Sequence, residues 1–447
     1  MNVFRYSFQL ILFFSISFSQ NNFLSQLSFD LSGSISYSYM SRLSNGNEIK
    51  LPYNIFFAKT DIKLGIFDLT VIPRMEFRNG ERSANYAFRE IYLSYYPKWG
   101  EVKFGKQINF WGAADGINPI DNLNPYDQYY LFSSGPDKKI GIFSVFTKIY
   151  FQESQIELVL NPKNEINRMI FNEPDFPLSL DIEPLIEARS KSFPEIGLRY
   201  QRSFDKGDLG LSFFMSKDRT PSILIADFNT NIFLPKLGYR NTKMFGFDFV
   251  TFFNSMTLRS EIAFFQSTSP SQYDISTDRG FFQLDQDISS AQYIMQLEYI
   301  TSNGLQLSAQ LIGSYIFNEN YDWVNMETKN SNLDLNNSEL VPKFNSGLGS
   351  PFAIIFNKSA ILAASAFLFD RSLEIQLNSI YDLNNDGMLT GLNMNYSLLT
   401  NWKLELSITK FHSYDSSIEN PFFIMKDFSN IRSSLNYIFC YLFTYCY

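Results

Sequence analysis

Histidine and cysteine are nearly missing from this chain, which has one histidine (His412) and two cysteines (Cys440 and Cys446) in 447 residues. So few nitrogen and sulfur ligands exclude a clustered zinc site. The two cysteines are six residues apart, about 20 Å along a strand, too far to bridge within it. Past the first nineteen residues there is no run of about 18 apolar residues, so a helical membrane span is excluded. A net charge of −8 without a basic patch excludes nucleic acid as a partner. Linker-like Gly/Pro/Ser stretches are also lacking. The length, which alone favours several domains, therefore reads as one large domain over 20–447. No metal site and no cofactor motif is present.

Aromatic residues are abundant, and they alternate. Leu27, Phe29, Leu31, Ile35, Tyr37 and Tyr39 share one face of an extended segment, and Ser28, Asp30, Ser32, Ser34, Ser36 and Ser38 share the other. A strand between lipid and a watery lumen needs this division. It recurs where Val71, Met75 and Phe77 oppose Thr70, Arg74, Glu76 and Arg78. Met256, Leu258, Ile262 and Phe264 likewise oppose Thr257, Arg259 and Glu261.

About eighteen such segments follow, with sixteen possible: 24–40, 53–66, 69–78, 86–96, 101–110, 140–150, 155–161, 195–204, 208–216, 243–253, 256–267, 291–301, 305–317, 360–370, 373–383, 388–399, 403–415 and 432–447. Short connections alternate with mostly longer ones, notably 111–139, 161–194, 217–242, 267–290 and 318–352. The fold class is all-β: a transmembrane antiparallel up-and-down β-barrel. Barrels of about 16–18 strands leave an aqueous channel. An even strand number puts both termini on one side, here the periplasm.

The ends of the chain fit that compartment. Residues 1–19 carry Arg5 and then an apolar run closing on Ser17 and Ser19, the pattern of a cleaved signal peptide. Tyr437, Phe439, Tyr441, Phe443, Tyr445 and Tyr447 all fall on one face of a final strand. This resembles bacterial outer-membrane barrels, whose last strand ends in an aromatic residue read by the barrel-assembly machinery. Trp99 and Trp402 fall at short turns and Trp111 at the other end of a strand, as aromatic girdles would place them.

The most specific local feature follows the fifth strand: Gly105-Lys106-Gln107, Trp111-Gly112, Asn118-Pro119-Ile120-Asp121 and Asn124-Pro125-Tyr126-Asp127. Two Asn-Pro turns make a stiff loop. It can fold inward as a constriction carrying Asp115, Asp121, Asp127, Lys138 and Lys139. Alternatively, it can pack on the rim with its aspartates capping their own turns. Inward-facing wall positions include Lys59, Lys63, Arg74, Arg78, Lys103, Arg199, Arg259 and Lys403, opposed by Asp30, Asp61, Glu76, Glu157, Asp248, Glu261, Glu298, Glu374 and Glu405. Their signs nearly cancel, which argues against a strongly anion-selective pore. Lys106 falls on the outward face unless a bulge at Gly105 returns it to the lumen. Residues 382–387 copy half of a calcium loop but lack its closing Glu, so a hairpin loop is expected there. His412 lies near Asp415 and many serines, too little for a catalytic site.

The run Arg89-Glu90-Ile91-Tyr92-Leu93, the Gly-Lys-Gln strand, Trp-Gly and Asn-Pro-x-Asp together resemble a family of porin-like outer-membrane barrels, among them alginate-export-like porins. The resemblance implies a barrel in the bacterial outer membrane, in contact with its lipid. The family usually ends as Asn436-Tyr437-Ile438-Phe439 does, so Cys440–Tyr447 leaves the end of the last strand open. The expected function is passive diffusion of small hydrophilic solutes, without enzymatic activity. The alternative is a non-conducting surface barrel for polysaccharide anchoring or export, or for envelope assembly. Strands that begin near Leu24 leave no room for the plug of a gated transporter.

Overall fold

The computed structural model describes residues 27–115, 118–131, 135–177, 194–227, 234–270, 281–325, 344–351, 358–417 and 420–444. The expected signal peptide and the last three residues lie outside them. Among the described residues there are twenty strands: β1 Leu27–Arg42, β2 Tyr53–Leu64, β3 Phe67–Phe77, β4 Asn85–Tyr95, β5 Gly100–Gln107, β6 Ile142–Phe151, β7 Ser154–Asn161, β8 Glu195–Phe204, β9 Gly207–Lys217, β10 Ser222–Asp227, β11 Leu234–Gly238, β12 Asn241–Phe253, β13 Met256–Thr268, β14 Phe281–Ile300, β15 Gln306–Asn325, β16 Lys358–Leu368, β17 Leu373–Asp382, β18 Gly387–Leu399, β19 Trp402–Ser413 and β20 Asn430–Thr444. Each wall strand pairs antiparallel with its neighbour. β9 pairs directly with β12, and β20 returns to β1. The wall is thus a closed barrel of 18 strands. β10 and β11 are an extra hairpin laid on the outer end of β14.

That hairpin falls in the segment 217–242, which the pattern reads as a loop. The expected strands 291–301 and 305–317 also prove too short, since β14 and β15 each run 20 residues. The reason is a change of environment along one strand. In the lower part of β14, Tyr293, Met295 and Leu297 point out while Gln292 and Gln296 point in. Above a register shift at Ser289/Ser290, Leu284 and Ile288 are buried inside, and Asp285 and Asp287 are exposed outside. The inside becomes apolar where loops fill it, and the outside becomes polar. A test for apolar-out, polar-in alternation therefore misses this stretch.

The final strand includes Cys440–Thr444: Leu442 opposes Asp30 and Phe443 opposes Phe29. Phe439 opposes Gly33, and a Cβ there would meet the Phe439 ring at 2.6 Å. Glycine lets the aromatic ring lie flat on the wall and stack on Phe56. Both described ends of the chain lie at the short-turn end, where Leu27 opposes Leu64.

Candidate functional site

The loop between β5 and β6, called L3 here, plunges into the barrel instead of resting on its rim. Its apolar residues drive this. Trp111, Ile120 and Leu123 are fully buried against the inward residues Phe146, Val159, Phe214, Met244 and Phe265 of five strands. Trp111 is therefore not part of an outer girdle, as its position in sequence implied. Trp99 and Trp402 are exposed on the outside at the short-turn end.

The loop leaves β5 along the wall and is captured there. The Trp111 indole donates to Glu157 at 2.7 Å. One carboxylate oxygen of Glu261 on β13 accepts the amides of both Ala113 (2.5 Å) and Ala114 (2.6 Å). The Asp115 amide donates to Gln296 on β14 at 3.0 Å. Within the loop, Asn118 accepts from the amides of Ile120 and Asp121, the Asx geometry that Asn-Pro sequences favour. Asn124 ties the two stems together by donating to the carbonyls of Gln107 and Ile140 and accepting from the Asn109 amide.

The returning arm is anchored on the opposite wall. Asp127, with no exposed side-chain surface, faces Arg74 at 3.6 Å and Arg168 at 3.2 Å. Arg168 belongs to the next long loop, L4, and also forks onto Glu76 at 2.7 and 2.8 Å. Tyr130 donates to Glu76, and Arg89 holds Asp137 at 2.7 Å. Further along L4, Glu173 takes Arg78 at 2.8 Å and Asp175 takes Arg42 at 3.3 Å. L3 thus spans the lumen, clamped on β3–β4 at one end and β13–β14 at the other. Burial pushes the Asp127 carboxyl up against the pull of its arginines, and it pushes the Lys139 ammonium down to about 8.

These positions divide the expected constriction residues. Asp115 is 68% exposed and Lys138 borders open space. Asp121, Asp127 and Lys139 do not line a passage, which corrects their expected placement. Lys139 is sealed inside the loop, donating to the carbonyls of Asp121 and Asn124 and lying 3.6 Å from the Tyr126 ring. An inward loop with an apolar core must bury part of its own polar set, and these three residues are that part. The wall charges are mostly paired, Arg199 and Arg259 across strands and Lys103 along its own strand. Arg199 forks onto Asp248 at 2.6 and 2.9 Å, Arg259 meets Glu298, and Lys103 meets Glu101 at 3.1 Å. Lys403 and Glu405 occupy inward positions of β19 and have no ion pair among the described residues. Lys106 opposes Ile91 in unbroken register, so no bulge turns it inward. His412 sits on the outward face beside Thr390, away from the lumen serines. Residues 383–386 form the short connection from β17 to β18.

On the far side of the barrel a second apolar cluster gathers Ile49, Leu389, Phe411, Phe422, Met425 and Phe428 under a short helix, Pro421–Met425. Between this cluster, L3 and the β15–β20 wall lies a cavity of about 340 Å³. Its wall presents Gln310, Asn378, Asn393, Ser407, Thr409 and Arg432, and its L3 side presents Asp115, Tyr129, Tyr130 and Lys138. Arg432 shares its face of β20 with Asn430, Ser434 and Asn436, a period-two signal that reading the strand backwards from Tyr437 would have exposed. Arg168 had no such signal, because it sits in a loop and acts through tertiary contact alone.

No protein-family model and no curated protein matches the sequence. Solved structures do. Pseudomonas aeruginosa OccK5 (OpdH) matches with a TM-score of 0.51 at 11% identity, covering 94% of this chain and 99% of that one. OccK9 (OpdG) of the same organism gives 0.52 at 11% identity over 95% and 100%. Acinetobacter baumannii OccAB1 gives 0.50 at 8% identity over 94% and 97%. The likeness spans the whole barrel and is a likeness of fold, that of a porin-like outer-membrane barrel.

Proposed function

We propose that the protein is an outer-membrane channel for passive diffusion of small hydrophilic solutes, with L3 as its constriction and both termini in the periplasm. The observation that carries this is the cavity beside L3. The loop crosses the lumen and packs against β6–β13, and the space left along β15–β20 is lined by amides, hydroxyls and a few charges beside apolar residues such as Ile361, Ile380, Leu389 and Phe411. A barrel built only to anchor would gain by packing that side as tightly as the other. The fold match to outer-membrane porins supports the compartment. Outer-membrane lipid meets the exposed Tyr37, Phe104, Phe245 and Leu362, and the aromatic face of β20 is what the assembly machinery would read. Planar-bilayer recording of purified protein should show open channels of weak ion selectivity. A refolded, heat-modifiable barrel that never conducts would overturn the reading in favour of the surface barrel for polysaccharide anchoring or envelope assembly.

A further inference from the structure

We propose that the passage holds a binding site for a neutral saccharide, seated on Asn378 and Asn393 with an aromatic face of L3 opposite. The inference rests on the channel reading and names the solute class. Among the groups lining the cavity only Asp115, Lys138 and Arg432 are charged, on opposite sides and of mixed sign. Such a lining gives no single-sign field to concentrate an ion. It offers instead what a polyhydroxylated ring needs: amides that both donate and accept, hydroxyls, and aromatic surface for the ring's C–H faces. The volume of about 340 Å³ lies within the range of small-ligand sites.

Two features show a site built for contact. Asn378 and Thr409 spend their side chains on no other group among the described residues. Gly391, beside Asn378 on β18, is where the wall steps back. A Cβ there would come within 2.1 Å of the Asn378 amide oxygen, and the backbone at Gly391 is not in the left-handed region, so glycine is needed only for space. Ser407 donates to the Asn393 oxygen at 2.6 Å, fixing which edge of that amide is presented and leaving its NH₂ to donate. The amides are thus held at set positions on rigid strands, the condition for selective recognition.

The test is single-channel recording of the full-length protein with maltose added, and glycerol as the non-binding control. Maltose should interrupt the current saturably, and glycerol should only scale conductance with viscosity. Asn378→Ala and Asn393→Ala should each weaken maltose block by about tenfold, the loss of one or two hydrogen bonds, and Gly391→Ala, whose methyl displaces the Asn378 amide, should weaken it as well. Equal effects of maltose and glycerol, or block by gluconate anion alone, would overturn the site while leaving the channel standing. If no channels form, the channel reading fails separately. Equilibrium dialysis of labelled maltose then decides the site: binding lost in the Asn378→Ala protein sustains it, and absence of binding removes it.

Discussion

The two sides of the lumen solve opposite problems. Along β6–β14 the inner wall is dense with charge and apolar bulk, yet it is closed: Arg199 is spent on Asp248, Glu157 on Lys148 and Trp111, and Glu261 on the L3 amides. Along β15–β20 the wall carries few charges and remains open. Charge in a barrel interior is therefore a poor guide to the path of a solute. Buried ionised groups must be matched to be tolerated, so they gather where the protein packs against itself. The side left for water can be merely polar.

The sharpest way to break this contrast is to remove the loop. Deleting Ala113–Asp127 should raise single-channel conductance several-fold and leave Arg259, Glu261 and Glu157 facing water, so ion selectivity should change as well. Unchanged conductance would show that the path does not pass L3. A smaller change has a related effect. Glu261→Ala strips two amides of their acceptor at a cost on the order of 1–3 kcal/mol, and frequent open-state flickering should appear in recordings. Glu261→Gln, which keeps an acceptor oxygen, should flicker less. Quiet channels in both variants would mean that the apolar cluster alone holds the loop.

Lys139 probes the closed side by titration. Its ammonium is held down near 8 when folded and returns to its ordinary value near 10.5 when unfolded. Between those values the unfolded chain binds the extra proton, so this residue's contribution to stability rises with pH across that window. The wild-type thermal midpoint should therefore gain, relative to Lys139→Met, from pH 8 to 10.5. Parallel curves would show that Lys139 is charged and fully compensated by Asp121. The smallest effect belongs to the open side. Asp115→Asn and Arg432→Gln should shift the reversal potential by a few millivolts in opposite directions at low salt, and the shifts should fade as screening shortens to about 3 Å at 1 M. Shifts of one sign would show that the two charges do not face the same passage.

Much of this architecture was legible in the alternation of residues. Strand number, the inward Arg74, Glu76 and Arg78, and the outward Phe439 all follow from period two on a closed wall. The inward loop was legible only as stiff. Nothing in Asn118-Pro119-Ile120-Asp121 states that Ile120 will be buried against wall side chains from five strands, because that depends on what the opposite wall offers. The same holds for Asp121 and Asp127. In sequence they are indistinguishable from Asp115, and only the depth of the loop separates a sealed carboxylate from an open one. The upper halves of β14 and β15 were lost for another reason, since their polarity reverses where the loops begin.

The pairing of β1 with β20 has a bearing on how the protein is made. A seam between the first and last strands means that synthesis in chain order leaves β1 without its second partner until β20 has been produced. Through that interval the growing sheet carries two unpaired edges, each able to template association with another chain. Phe439 over Gly33 lies across that seam, so it can report the moment of closure. A probe on its ring should sense the final zippering, whereas one on Phe104 should sense only the local pairing of β5 with β6.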